Sequence, residues 1–152
     1  MTTTLLTLKL ARRRSVVLAR QRARQIARLL GFDTRDQARI AAGVFHLAGH
    51  AFQHAGARAL VFQLAGDLLQ VHPVCGKGRP GAEAPLRLER RLPRPPALPP
   101  EDLAWAVREL AQLTPANLFA EVQQQNQELL QAFHELHACQ AEVQRLQRPD
   151  AA

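Results

Sequence analysis

Apolar residues recur at different spacings along the chain, and each spacing predicts a different element. Thr3 to Leu10 alternates weakly between apolar and polar positions and is β-prone, so it predicts a strand. From Val16 to Leu30 the apolar residues return every three or four positions, which predicts a helix buried on one side and ended by Gly31. The chain therefore begins with a strand followed by an amphipathic helix.

A second helix is predicted over about Thr34 to Gln53. It has a broad apolar stripe, and Asp33 with Asp36 supplies a capping acceptor and an acid near the positive end of the helix dipole. Two apolar runs follow, residues 59–64 and 68–74, separated by Ala65-Gly66-Asp67, which predicts a β-hairpin. A strand, two helices and a hairpin predict a small two-layer α/β sandwich.

A proline-rich stretch divides the sequence. Leu92 to Pro100 contains five prolines in nine residues, which indicates an extended, semi-rigid connector. Glu101 and Asp102 then open a short helix that contains Trp105. We therefore expect an α/β domain over residues 1–92, a linker over 93–100 and a helical extension over 101–148.

Apolar residues beyond Pro115 recur at alternating spacings of three and four, which is the heptad pattern of a coiled coil. Gln125 and Ala132 are weak residues at core d positions, so the pattern leaves open either a homodimer or docking on another surface. Besides Gln125 and Ala132, the predicted seam contains Leu118, Val122, Leu129, Leu136, Cys139, Val143 and Leu146.

Positive charge is concentrated near the N-terminus. Residues 1–58 contain eleven Lys and Arg against two Asp, a balance of +9, so the rest of the chain carries −2 of the total of +7. Much of this charge falls on the first helix, at Arg20, Arg22, Arg24 and Arg28, and the last three fall largely outside its apolar stripe. We expect these four arginines to form a solvated face that binds an acidic protein. Nucleic acid is the weaker alternative, because base-stacking aromatic residues and a recognition-helix pattern are missing.

Neither a membrane span nor a signal peptide is expected. No stretch approaches the roughly 18 consecutive apolar residues that cross a bilayer, and the N-terminus lacks an apolar core with a cleavage site. The two cysteines, Cys75 and Cys139, have no short metal-ligand spacing and are expected to be free thiols. These features predict a cytoplasmic protein.

The residues from Val17 to Phe32 and from Asp36 to Ala41 resemble the opening of a bacterial GHKL-type ATPase domain. The resemblance is to anti-sigma-factor serine kinases and to the ATP-binding modules that precede some sensor histidine kinases. In that family the second helix bears a Glu-x-x-x-Asn motif that serves magnesium and the phosphates. His46 and His50 stand at the corresponding positions here.

A second family motif is also altered. Members of the family have an Asp-x-Gly-x-Gly box whose Asp binds adenine, and this chain has Val74, Gly76 and Gly78 in its place. Residues 84–90 then resemble the strand that closes the family's domain, so the ATP lid and the second glycine-rich turn are missing. Gly76-Lys77-Gly78-Arg79 could instead bind phosphate directly, although it lacks the full phosphate-loop pattern. The resemblance therefore implies a nucleotide site whose main contacts are lost.

The histidines do not predict a metal site. His46, His50 and His54 are four residues apart, so the outer two are separated by about 12 Å along the helix and cannot share an ion. Mg²⁺ strongly prefers oxygen ligands over imidazole. We expect no cofactor, no bound metal and no catalytic residue.

The sequence as a whole predicts a noncatalytic interaction or regulatory module in bacterial signal transduction. Its expected partner is a signalling protein, such as a sigma factor, an antagonist protein or a kinase-like protein, by analogy with the related serine kinases. Two alternatives stay open: a residual ATP-binding serine or histidine kinase-like protein with atypical magnesium ligands, and a basic nucleic-acid-binding protein.

Overall fold

A computed structural model of the chain describes residues 2–54, 57–75, 87–113 and 118–147, and for His54, Cys75, Leu113 and Leu118 it describes the backbone alone. In chain order the described elements are β1 (Thr2–Lys9), α1 (Arg13–Leu29), α2 (Thr34–His54), β2 (Ala57–Ala65), β3 (Leu68–Cys75), β4 (Leu88–Arg91), α3 (Pro100–Leu113) and α4 (Leu118–Gln147). The chain is thus a mixed α/β protein, which confirms the predicted class.

The four strands form one antiparallel sheet in the order β1-β2-β3-β4. Helices α1 and α2 pack against each other and connect β1 to β2. Alternate residues of β2 (Leu60, Phe62 and Leu64) are buried, as the period of two along a strand requires when one face of a sheet is covered. Ile26 of α1 and Val44 of α2 are buried in the same core.

Local backbone signals set the ends of the first two helices. Gly31 adopts a φ of +87° after α1. The Gly31 N–H donates to the Arg28 carbonyl and the Phe32 N–H to the Ala27 carbonyl, both at 3.1 Å, which is a complete Schellman motif. At the start of α2, the Asp33 carboxylate accepts a 2.7 Å hydrogen bond from the Asp36 N–H. The predicted glycine stop and aspartate cap are therefore confirmed.

Helix α3 packs on the α/β core, although the proline-rich segment precedes it. The chain divides into a first unit, Met1–Leu118, and a second unit, Phe119–Ala152. Leu103, Ala104 and Val107 of α3 are each 3% exposed and belong to the core, and α3 contacts β1 and α1. The predicted start of a separate extension at residue 101 is therefore wrong, because α3 belongs to the first unit and its apolar face is buried against β1 and α1.

Polar side chains form a ladder across three strands of the sheet. Gln63 on β2 donates its Nε2 to Oε1 of Gln70 on β3 at 2.8 Å, and Gln70 in turn donates its Nε2 to Oε1 of Glu89 on β4 at 3.1 Å. Arg87 lies 3.6 Å from the same Glu89 oxygen. Gln63 lies directly opposite Gln70 in the strand register, and Gln70 lies directly opposite Glu89, so the ladder follows from antiparallel pairing.

None of the helices within the described ranges is long and apolar enough to cross a membrane.

Candidate functional site

An open cleft of about 530 Å³ lies between helices α1 and α2. The two helices lie near each other at Gly49, where an added Cβ atom would make an ordinary van der Waals contact, 3.8 Å from Cγ1 of Val16. The lining residues come from the start of α1 and the second half of α2, and they are Arg13, Val16, Val17, Phe45, His46, Gly49, His50, Phe52 and Gln53. Two of the residues that the resemblance assigned to a nucleotide site, His46 and His50, are among them.

His46 and His50 are brought together in this cleft. They are four residues apart on α2, so they occupy one side of the helix, and both are exposed. The Phe45 and His46 rings meet edge to face with centroids 6.1 Å apart. Arg13, at the first turn of α1, lines the same cleft, and the sequence gave no signal that it would join the histidines.

The lining residues offer nitrogen donors rather than carboxylate oxygens. A guanidinium, two imidazoles and one amide are the polar side chains of the cleft, and no Asp or Glu is among the residues that line it. In the described part of the chain, no three His, Cys, Asp or Glu residues come close enough to hold a metal ion. The Gln53 amide supplies the one side-chain oxygen among these lining residues, which is too few for Mg²⁺ because it prefers several oxygen ligands.

The other residues assigned by resemblance do not join the cleft. Val74 lies near the end of β3 with 42% of its side chain exposed, and it is not one of the lining residues. Gly76 and Gly78 lie outside the described residues. The structure therefore brings His46 and His50 together, and the expected glycine turn lies outside the described residues.

The four arginines predicted to form a solvated face of α1 differ in their exposure to solvent. Arg20 is 3% exposed and Arg22 is 7% exposed, while Arg24 is half-buried and Arg28 is exposed. The prediction of a solvated position is therefore wrong for Arg20 and Arg22.

Packing of α3 explains the burial of Arg22. The Arg22 guanidinium donates from Nη1 to Oε1 of Gln25 at 2.9 Å and from Nη2 to the carbonyl of Ala111 on α3 at 3.0 Å. Burial lowers the pKa of this guanidinium from its usual value. The proline-rich segment indicated that α3 belongs to a separate extension, so the sequence gave no sign that α3 would cover Arg22.

Helix α4 presents the predicted heptad seam to solvent. Cys139 is an exposed free thiol, and the side chain of Leu118 lies outside the description. The large apolar residues of the seam are between 43% and 71% exposed, and they are Val122, Leu129, Leu136, Val143 and Leu146. This stripe is the most extended apolar surface of the second unit, and nothing within that unit covers it in the described residues.

A histidine outside the predicted site is also notable. His72 lies on β3, and its Nδ1 atom is buried with no hydrogen-bond partner among the described residues. Burial, and then the positive charge of Arg87, lower the pKa of His72 from its ordinary value of 6.5. The alternation along β3 could have indicated a half-buried histidine, but the approach of Arg87 from the next strand could not be read from spacing.

Comparisons of this chain with protein-family models, with curated proteins and with solved structures find no match.

Proposed function

We propose that this chain is a noncatalytic protein-interaction module of bacterial signal transduction, built on a GHKL-like ATPase domain that has lost its nucleotide site. The strand, two-helix and hairpin order is the arrangement expected for the opening of such a domain. One observation carries the noncatalytic part of the proposal: the cleft between α1 and α2 is lined by Arg13, His46 and His50, and by no carboxylate.

The chemistry of that cleft opposes magnesium-nucleotide binding of the usual kind. An imidazole that is neutral is a poor ligand for Mg²⁺, and an imidazole that is protonated repels it. A neighbouring arginine adds a further positive charge. ATP hydrolysis and phosphoryl transfer depend on a metal ion to neutralise charge that develops on the phosphates, so this cleft lacks the ligands for that chemistry.

Exposed cations supply the interaction part of the proposal. They are Arg28 of α1 and Arg35 and Arg39 of α2, all in the first unit. Exposed guanidinium groups favour a partner with an acidic surface. The partner class that we propose is a signalling protein, such as a sigma factor or an antagonist protein.

Isothermal titration of Mg-ATP into the full chain tests the noncatalytic assignment. We expect no saturable heat at micromolar nucleotide, for the unchanged chain and for the His50→Ala variant alike. Saturable binding that His50→Ala weakens, and that His134→Ala leaves unchanged, would instead establish a residual ATP-binding protein. His134 is a suitable control because it is an exposed histidine of α4 and lies outside the cleft.

A further inference from the structure

Helix α4 carries an apolar stripe along its whole length. It runs for 30 residues, Leu118–Gln147, which corresponds to about 45 Å at 1.5 Å per residue. Leu129 and Leu136 at heptad a positions are 61% and 56% exposed, and Leu146 at a d position is 71% exposed. A repeat of 3.5 residues matches the surface of another helix in a left-handed supercoil, rather than a flat sheet or a globular pocket.

We propose that α4 pairs with α4 of a second copy of this chain in a parallel, in-register, two-stranded coiled coil. This inference goes beyond the proposed function, because it depends on the seam of α4 and not on the state of the cleft. Three features of the helix identify the occupant and its orientation: a polar residue in the seam, the charges beside the seam, and the sizes of the core residues.

Gln125 is the polar residue in the seam. It occupies a d position, so a parallel in-register pair places it opposite Gln125 of the second copy, where the two amides can hydrogen-bond to each other. In the antiparallel register that aligns the two seams from residue 122 to residue 146, Gln125 instead faces Val143. A buried amide without a partner is unfavourable, so Gln125 selects the parallel arrangement.

The acidic residues beside the seam select the same arrangement. Glu128, Glu135 and Glu142 occupy successive g positions, and the e positions that they meet in a parallel pair are neutral: Phe133, Gln140 and Gln147. An antiparallel pair would place g opposite g, which brings Glu135 against Glu135 and Glu128 against Glu142. Within its own helix Glu142 already binds Arg145, with Oε1 and Nη2 2.6 Å apart.

The core residues suit two strands. Val122 and Val143 at a positions and Leu146 at a d position follow the two-stranded preference for a β-branched a residue with leucine at d, while Leu129 and Leu136 occupy the other two a positions. Ala132 and Cys139 are small residues at d positions and allow the two helices to approach closely. In register, each Cys139 faces Cys139 of the second copy across the axis of the dimer.

The first experiment measures mass and uses two neighbouring leucines. Leu129 at an a position and Leu130 at a b position are 61% and 60% exposed, so the same substitution at each changes the surface of one chain equally. Light scattering under reducing conditions should give two chains per particle for the unchanged protein and for Leu130→Glu, and one chain for Leu129→Glu. A monomeric unchanged protein, or equal behaviour of the two variants, would overturn the proposal.

The second experiment measures orientation by oxidative cross-linking of the full chain. In a Cys75→Ser background, Cys139 should form a disulfide-linked dimer, because facing d positions in a parallel pair come within the 4.4–6.8 Å between Cα atoms that a disulfide spans. The thiol moved to an outward f position, in Cys75→Ser/Cys139→Ser/Ala141→Cys, should not link. In the antiparallel register the two Cys139 residues would be about 15 Å apart along the axis. A dimer by mass that fails to link through Cys139 would overturn the parallel arrangement.

Gln125→Leu tests whether the helices pair in one specific register, because a nonspecific apolar contact would not link dimer affinity to cross-linking yield in this way. Leucine at this position should tighten the dimer, since a polar core residue specifies register at a cost in stability. The same change should reduce the Cys139 cross-link, because the amide pair no longer excludes other alignments. An unchanged cross-linking yield would contradict the role assigned to Gln125. None of these experiments involves nucleotide, so their failure is separable from failure of the proposed function.

Discussion

Arg22 holds two helices together from a buried position. Its guanidinium bonds both Gln25 of its own helix and the Ala111 carbonyl of α3. Sequence periodicity placed this residue outside the apolar stripe and therefore in solvent, but α3 covers this part of α1 and Arg22 is buried. A long, planar side chain can cross from the edge of a core to a backbone acceptor on a neighbouring element.

The variant Arg22→Ala should therefore destabilise the first unit. We expect the free energy of unfolding to fall by about 2 kcal/mol, because hydrogen bonds from a charged donor contribute about 1.5–3 kcal/mol and the Ala111 carbonyl would lose its donor. Urea denaturation followed by circular dichroism measures this change. Arg39→Ala, on the exposed side of α2, is the matched control and should change stability by less than about 0.5 kcal/mol. Equal losses in the two variants would show that the Arg22 contacts are not stabilising.

His72 should make stability depend on pH. Because its pKa in the folded chain is lowered below the ordinary value of 6.5, the unfolded chain binds a proton more readily than the folded chain. The contribution of neutral His72 to stability is thus fully present above about pH 6.5, and it is lost as the pH falls through the lowered pKa.

Urea denaturation at a series of pH values between 7.5 and 5 tests this dependence. His72→Gln should flatten the loss of stability on acidification, whereas His134→Gln, at an exposed position on α4, should leave the profile as it is. Identical profiles for the unchanged chain and for His72→Gln would refute the assignment.

At the scale of elements, replacing two glycines by alanine should change stability in opposite directions. Gly49 lies inside α2, where an added Cβ would make ordinary contact with Val16 at 3.8 Å. Gly66, in the turn between β2 and β3, has a φ of +62°, which side chains disfavour. Gly49→Ala should raise the free energy of unfolding by about 0.5–1 kcal/mol through helix propensity, and Gly66→Ala should lower it by about 1–2 kcal/mol.

Thermal and urea denaturation of the two variants measure these opposite shifts. A loss of stability in Gly49→Ala would mean that α1 and α2 cannot accept a methyl group at this position, which the 3.8 Å spacing argues against.

Elements whose signals are local could be predicted from the sequence. Gly31, Asp33 and Gly66 each act within a few residues, and each ends, begins or turns an element where the pattern indicated. Helical repeat alone also brought His46 and His50 to one side of α2. Docking of α3 on α1 and β1 could not be predicted, because it joins Arg22 to Ala111 across 89 positions of the chain. Arg22 is buried because of that long-range contact, so local sequence patterns wrongly predicted that its side chain would be exposed to solvent.

At the scale of the whole molecule, α3 should be necessary for the first unit to fold. Leu103 and Val107 are each 3% exposed, and burial of such side chains contributes about 1.5–3 kcal/mol apiece, a large share of the about 5–15 kcal/mol of net stability typical of a domain. A chain that ends at residue 117 should unfold cooperatively on heating. A chain that ends at residue 99 should melt roughly 10 °C lower or more, or lose its cooperative transition.

Thermal denaturation followed by circular dichroism compares the two shortened chains. Equal melting temperatures would show that α3 is an accessory helix and would restore the boundary that the proline-rich segment suggested. The longer of the two chains also lacks the α4 seam, so light scattering should find it monomeric if the coiled coil is the only contact between copies.

The amide ladder on the sheet has a direction. Since a carboxylate can only accept, Glu89 obliges Gln70 to turn its NH₂ group toward β4, and Gln70 must then present its carbonyl to Gln63. One acidic group on the edge strand thus orients two amides on the strands behind it. A lysine at residue 89 could only donate, so both amides would have to rotate. A charge reversal on the outermost strand would therefore reorient the Gln63 amide two strands inward, at the centre of the sheet.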